Sequence, residues 1–163
     1  MNVDPTSCRE HLTALIAQEA GALERLAGLL EKEHDFLVKN DVDALESAMD
    51  KRQECVGDLA RIEDERRSLC RMLAYEPDNA GLGRMLVWCD SAGTLKARWA
   101  ECATRAARCR ALNDRNGALV SARLKRVTTL LGALTGSTRE ARTYGANGNS
   151  TETRTGRVLT AHA

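Results

Sequence analysis

The side chains of this chain that are capable of chemistry are three histidines, six cysteines, a run of carboxylates and a pair of amides. His11, His34 and His162 are far apart, and none stands in the His-Glu-x-x-His arrangement that sets two imidazoles and a base on one helical face. His34, beside Glu31 and Asp35, reads as part of a solvated helix face. Cys8, Cys55, Cys70, Cys89, Cys102 and Cys109 include no Cys-x-x-Cys pair, so the sequence spells out neither a zinc site nor a redox dithiol. Cys102 and Cys109 are seven residues apart, which suits small buried apolar residues on one helical face better than metal ligands. Glu63-Asp64-Glu65 are consecutive, and consecutive helical residues point in different directions. They read as charge partners of Arg61, Arg66 and Arg67 rather than as an acid–base pair. Neither a phosphate-cradling glycine loop nor a nucleophile elbow occurs. The expectation is a protein without catalysis, metal or cofactor.

The amides are the more informative candidates. Leu112-Asn113-Asp114-Arg115-Asn116-Gly117-Ala118-Leu119-Val120 places two asparagines and a glycine inside an otherwise regular helical pattern. An amide on a packing face lowers stability and fixes register or partner choice. A glycine inside a helix costs about 1 kcal/mol relative to alanine. The segment therefore either tolerates a local defect or needs close approach by another chain.

The elements that position it follow from composition and periodicity. Aromatics are only 3% of the 163 residues, so the core is built from Leu, Ala, Val and Met, which suits helices. There is no run of 18 apolar residues, and Met1-Asn2-Val3-Asp4-Pro5 is not a secretory signal. The expected location is the cytoplasm, without membrane insertion and without a disulfide framework.

Residues 6 to about 38 predict a first long helix, capped by Asp4 or Thr6, with Pro5 at its start. Its stripe is Leu12, Ile16, Leu23, Leu26, Leu30 and Leu37, with Glu19 and Glu33 in the missing places. This three–four alternation is that of helices packed nearly side by side. Asn40-Asp41 breaks the pattern, and Asp41 caps a second helix running to about Tyr75, with Leu45, Met49, Val56, Leu59, Ile62, Leu69 and Leu73 as its stripe. Pro77 ends it. Residues 80–90 predict a short helix or turn over the end of the hairpin.

A third long helix, 95 to about 134, carries its seam at Leu95, Trp99, Cys102, Ala106, Cys109, Asn113, Asn116, Val120, Arg123, Val127, Leu130 and Leu134. After Leu112 the apolar face is wider than one helix contact requires, and a broad stripe can face two neighbours. Residues 135–163 hold seven Thr, four Gly and only Val158 and Leu159 among large aliphatics, so they predict a mobile tail. The fold expected is all-α: an antiparallel bundle of three long helices plus a short helix with coiled-coil-like packing over 1–134, and a flexible C-terminal tail over 135–163.

Charge is uneven. Residues 1–90 hold 11 Lys/Arg and 19 Asp/Glu, whereas residues 91–134 hold 9 and 2. A basic third helix packed beside acidic first and second helices explains this without nucleic acid, and there is little aromatic surface to stack on bases.

The segment Leu112–Val120 resembles the Asn-x-x-Asn-Gly signature of FlgN-like flagellar export chaperones. The resemblance extends over nearly the whole chain. The family's Leu-x-x-Leu-Leu-x-x-Glu opening is similar to Leu26-Ala27-Gly28-Leu29-Leu30-Glu31-Lys32-Glu33, followed by Leu37 and Asn40-Asp41. Leu45-Glu46 through Lys51 resembles the start of its second helix, and Tyr144-Gly145-Ala146-Asn147-Gly148 with Gly156-Arg157 resembles its tail. The cysteine richness is a departure.

This resemblance implies a cytoplasmic chaperone without ATPase activity. It would bind the terminal segments of hook-associated proteins, which form the hook–filament junction, and keep them from assembling early. It would then bring them to the flagellar type III export gate through its tail. A client segment that folds as an amphipathic helix on binding would lie in a groove rimmed by Leu112, Leu119, Val120, Leu124, Val127 and Leu131. Gly117 would let its backbone come close. Asn113 and Asn116 would either bond the client or pair with polar groups of the first two helices, such as Glu19 or Glu33. Tyr144 is the expected gate contact. A homodimer is compatible with the stripes. A coiled-coil structural adaptor or homo-oligomer without an export role would also explain the stripes, but not the amide–glycine break or the tail.

Overall fold

A computed structural model of the chain describes residues 4–136. Helices α1 (Pro5–Lys39), α2 (Val42–Met72), α3 (Asn79–Cys89) and α4 (Thr94–Leu134) account for three long elements and one short one, as the periodicity predicts. The described residues divide into two units, one ending at Leu124 and one beginning at Lys125, and the packing described below belongs to the first.

Each boundary has a local cause. Asp4 caps α1, its Oδ1 accepting the Ser7 N–H at 2.8 Å, with Pro5 at the first helical position where its missing N–H is harmless. That bond holds the Asp4 carboxyl below the usual carboxylate range. α1 closes where Asn40 takes a left-handed conformation, φ 56°. The N–H groups of Asn40 and Asp41 then turn back to the carbonyls of Leu37 and Phe36. Asp41 at once caps α2, accepting the Ala44 N–H at 3.1 Å. Two residues thus reverse the chain.

α2 stops at Met72, short of the Tyr75 expected from Pro77. Ala74 adopts φ 59°, and the N–H groups of Ala74 and Tyr75 bond the Arg71 and Cys70 carbonyls, so the helix is closed before the proline acts. Asp78 caps α3 through the Gly81 N–H at 2.7 Å. A Cβ at Gly81 would land on the Glu76 carbonyl oxygen, which makes glycine obligatory there. The buried Asp90 receives the Leu95 N–H at 2.7 Å and starts α4.

α1 lies at the centre of the packing. α2 runs antiparallel to it and buries Ala48, Cys55, Ile62 and Leu69 in seven-residue steps. The predicted stripe placed Met49 and Val56 in this seam, but both are exposed, 45% and 43%. The positions one residue earlier take their place, because small Ala and Cys side chains let the helix backbones approach where Met and Val would hold them apart. α4 buries Leu95, Cys102, Cys109 and Asn116, again in sevens. α3 closes one end with Leu82, Met85 and Leu86. Fully burying each such leucine or methionine contributes about 1.5–3 kcal/mol.

All six cysteines are buried free thiols, the role the spacing of Cys102 and Cys109 predicts. Among the described residues no helix is long and apolar enough to cross a membrane, and no cluster of His, Cys, Asp or Glu could hold a metal ion.

Candidate functional site

The contact between α1 and α4 is a ladder of side-chain bonds to α1 carbonyls. The Cys102 thiol reaches the Ile16 carbonyl at 3.7 Å, the Cys109 thiol the Leu23 carbonyl at 3.3 Å, and Asn116 Nδ2 the Leu30 carbonyl at 2.8 Å. Each pair is separated by the same 86 residues, so α4 runs parallel to α1 in constant register. From α2, the Cys55 thiol bonds the Ala22 carbonyl at 3.1 Å. Thiols are weak donors, and these remain protonated because burial pushes the Cys55, Cys102 and Cys109 pKa values up.

Asn116 is 5% exposed, and its second amide atom, Oδ1, stands 3.0 Å from His34 Nδ1. The amide is therefore occupied by α1 at both ends. The reading of His34 as a solvated residue beside Glu31 and Asp35 is corrected here: it is half-buried and joins the seam. Asn113, three residues earlier on α4, is exposed and accepts a long bond of 3.4 Å from Arg52 Nη1 on α2.

The two carboxylates that fill gaps in the α1 stripe are both met by arginines of α2. Arg66 Nη1 stands 2.6 Å from Glu19 Oε2, and Arg52 Nε stands 3.2 Å from Glu33 Oε1. Glu33 is 3% exposed, and the approach of Arg52 is off the line of a hydrogen bond, leaving Oε1 without one. Burial pushes the Glu33 carboxyl above the usual carboxylate range, and Arg52 draws it only partly back. Of the expected charge triplet, Glu63 pairs with Arg66 and Arg67, but Glu65 faces His11 and Arg61 faces Asp58.

The basic character of α4 is absorbed in part by α1. Arg105 pairs with Glu24, Arg108 with Glu31 at 2.7 Å, and Arg123 Nη1 donates to Asn40 Oδ1 at 2.7 Å. These pairs are solvent-exposed and individually weak, but they agree with the predicted charge segregation.

Between α2 and α4 lies an open groove of about 490 Å³. Leu23, Leu26 and Leu30 of α1 form its floor; Val56, Ala106 and Cys109 form its walls; Arg52, Gln53, Arg110 and Asn113 are its polar edge. Arg52 crosses from α2 to Asn113 on α4 at one end.

Of the nine residues expected to bind a client, Asn113 alone lines this groove. Leu112 packs against the core, Leu119 is half-buried, and Asn116 faces α1. Gly117 is exposed, and a Cβ there would meet nothing within 4 Å, so no contact inside the protein requires glycine. Val120 is 47% and Leu124 65% exposed. In the second unit, Val127, Leu131 and also Leu130 and Leu134, which the expected site omitted, are 51%, 56%, 55% and 83% exposed. Tyr144 lies outside the described residues.

The scaffold has a bonded internal seam and leaves large aliphatic side chains on the surface of its last helix, the kind of exposure that marks interaction sites. The family model for "FlgN protein" matches residues 8–152, and the chain belongs to that family. The family is one of flagellar export chaperones and not of enzymes. No curated protein and no solved structure matches the chain significantly.

Proposed function

We propose that this chain holds the terminal segments of hook-associated proteins before their export, prevents their premature assembly, and brings them to the flagellar type III export gate. The supporting observation is the exposure of Val127, Leu130, Leu131 and Leu134 in the second unit, near the end of α4. Large aliphatics at this spacing form an uncovered apolar surface, and a client segment folding as an amphipathic helix would remove it from water. In the first unit, Gly117, Val120 and Leu124 are proposed as further client contacts, with Asn113, Leu112 and Leu119 beside them. Asn116, bonded to α1, is proposed to fix α4 within the first unit rather than to touch the client. Tyr144 is the proposed gate contact, and the protein is proposed to act in the cytoplasm.

The test is titration calorimetry of the full chain against C-terminal peptides of the hook-associated proteins. One-to-one binding with a negative heat-capacity change is expected, and Val127→Asp and Leu131→Asp should weaken it at least tenfold. Tyr144→Ala should leave client binding intact and reduce recruitment to the gate. No binding by a folded protein, or unchanged affinity in both aspartate variants, would overturn the assignment.

A further inference from the structure

We infer that the groove between α2 and α4 is a second docking site, distinct from the α4 surface proposed above, for one short acidic amphipathic helix. The groove is open to solvent, and its floor is apolar over Leu23 to Leu30 of α1. That span is two helical turns, about 10 Å, the length over which a guest helix presents side chains at i, i+3 or i+4, and i+7. Val56 on its wall is 43% exposed, although hydrophobicity would place it in the seam. The charge of the occupant follows from the edge. Arg105 and Arg108 are turned to the carboxylates of α1 on the far side of α4, while Arg110 stands at the groove with no ion-pair partner among the described residues. Asn113 adds amide hydrogen-bonding capacity beside it. A guest carboxylate flanking the apolar stripe meets Arg110, whereas a basic guest, including the last turns of α4 from a second copy with Lys125 and Arg126, is repelled.

The probe is a hydrocarbon-stapled 14-residue helix of Leu, Ala and Glu, with leucines at i, i+3, i+4 and i+7 and glutamates on either flank. A control peptide carries Lys in place of Glu. Fluorescence anisotropy with the full chain at low salt should show the Glu peptide binding at least tenfold tighter than the Lys peptide. Val56→Asp should abolish binding, and Arg110→Glu should reverse the preference. Both residues are on the surface, and helical circular dichroism of each variant verifies folding. Leu131→Asp, which weakens hook-associated clients in the preceding proposal, should leave the probe's affinity unchanged, so the two proposals fail separately. Equal binding of both peptides, no binding of either, or loss of binding in Leu131→Asp rather than Val56→Asp would overturn the groove assignment. So would a dimer by light scattering that Val56→Asp dissociates, since the groove would then be filled by a second copy.

Discussion

Asn116 on α4 is locked to His34 on α1 in one orientation. Asn116 Nδ2 donates to the Leu30 carbonyl, which only accepts, so Oδ1 faces the imidazole at 3.0 Å. His34 Nδ1 must then carry the hydrogen.

Removing the amide should therefore be costly and coupled. Asn116→Ala should lower stability by about 1–3 kcal/mol, because it leaves a part-buried ring nitrogen without its acceptor. Urea unfolding of Asn116→Ala, His34→Ala and the double variant should give a coupling energy of about 1 kcal/mol. Coupling near zero would make the imidazole contact incidental.

Glu33 sets a pH dependence opposite to that of an ordinary paired carboxylate. Its folded pKa is raised, chiefly by burial, so the folded state holds the proton more tightly than the unfolded state. Stability should fall as pH rises from the ordinary carboxylate value, about 4.3, up to the raised folded value, and stay at the lower level above it. Glu33→Gln should flatten that segment of the stability–pH curve. A slope unchanged by the substitution would assign the effect elsewhere.

Gly117 separates folding from binding. With no contact to meet and a helical backbone, Gly117→Ala should raise stability by about 1 kcal/mol, measured by thermal or urea unfolding. The same variant should bind hook-associated peptides at least threefold more weakly. Unchanged affinity would remove Gly117 from the proposed client surface.

The thiols should be silent in the native protein. Burial pushes Cys8 up to about 12 and raises the other five, and only the thiolate reacts. A chromogenic disulfide reagent at pH 8 should label none of the six before unfolding and all six in denaturant. Rapid labelling of the native protein would show that the seam opens.

The caps and the helix count were legible because they depend on local chemistry. Asp4, Pro5 and Asp41 announce their own positions, and a seven-residue recurrence needs no partner to be seen. What could not be read was choice between adjacent residues. Met49 and Val56 outrank Ala48 and Cys55 in hydrophobicity, yet the seam selects for size, a property of the facing helix. His34 was misplaced for a related reason, since its partner lies 82 residues away. The Cys102 and Cys109 spacing did foretell burial, but not that the thiols would bond α1 carbonyls. The groove offers no linear signature at all, because its floor and walls come from three helices.

The constant offset along α1 and α4 has an implication for uniqueness. Slide α4 by two turns, and each cysteine meets another carbonyl on the same face of α1: Cys109, for example, would exchange Leu23 for Ile16 or Leu30. Those contacts are interchangeable and cannot distinguish one alignment from the next. Asn116 can. Moved back seven residues, it would face Leu23, with Ala27 where the imidazole stands; moved forward, it would face Leu37, with Asp41 beyond the end of the helix. One amide thus numbers the turns of an otherwise repeating track, so that α4, as far as Leu124, stands at a single height against α1.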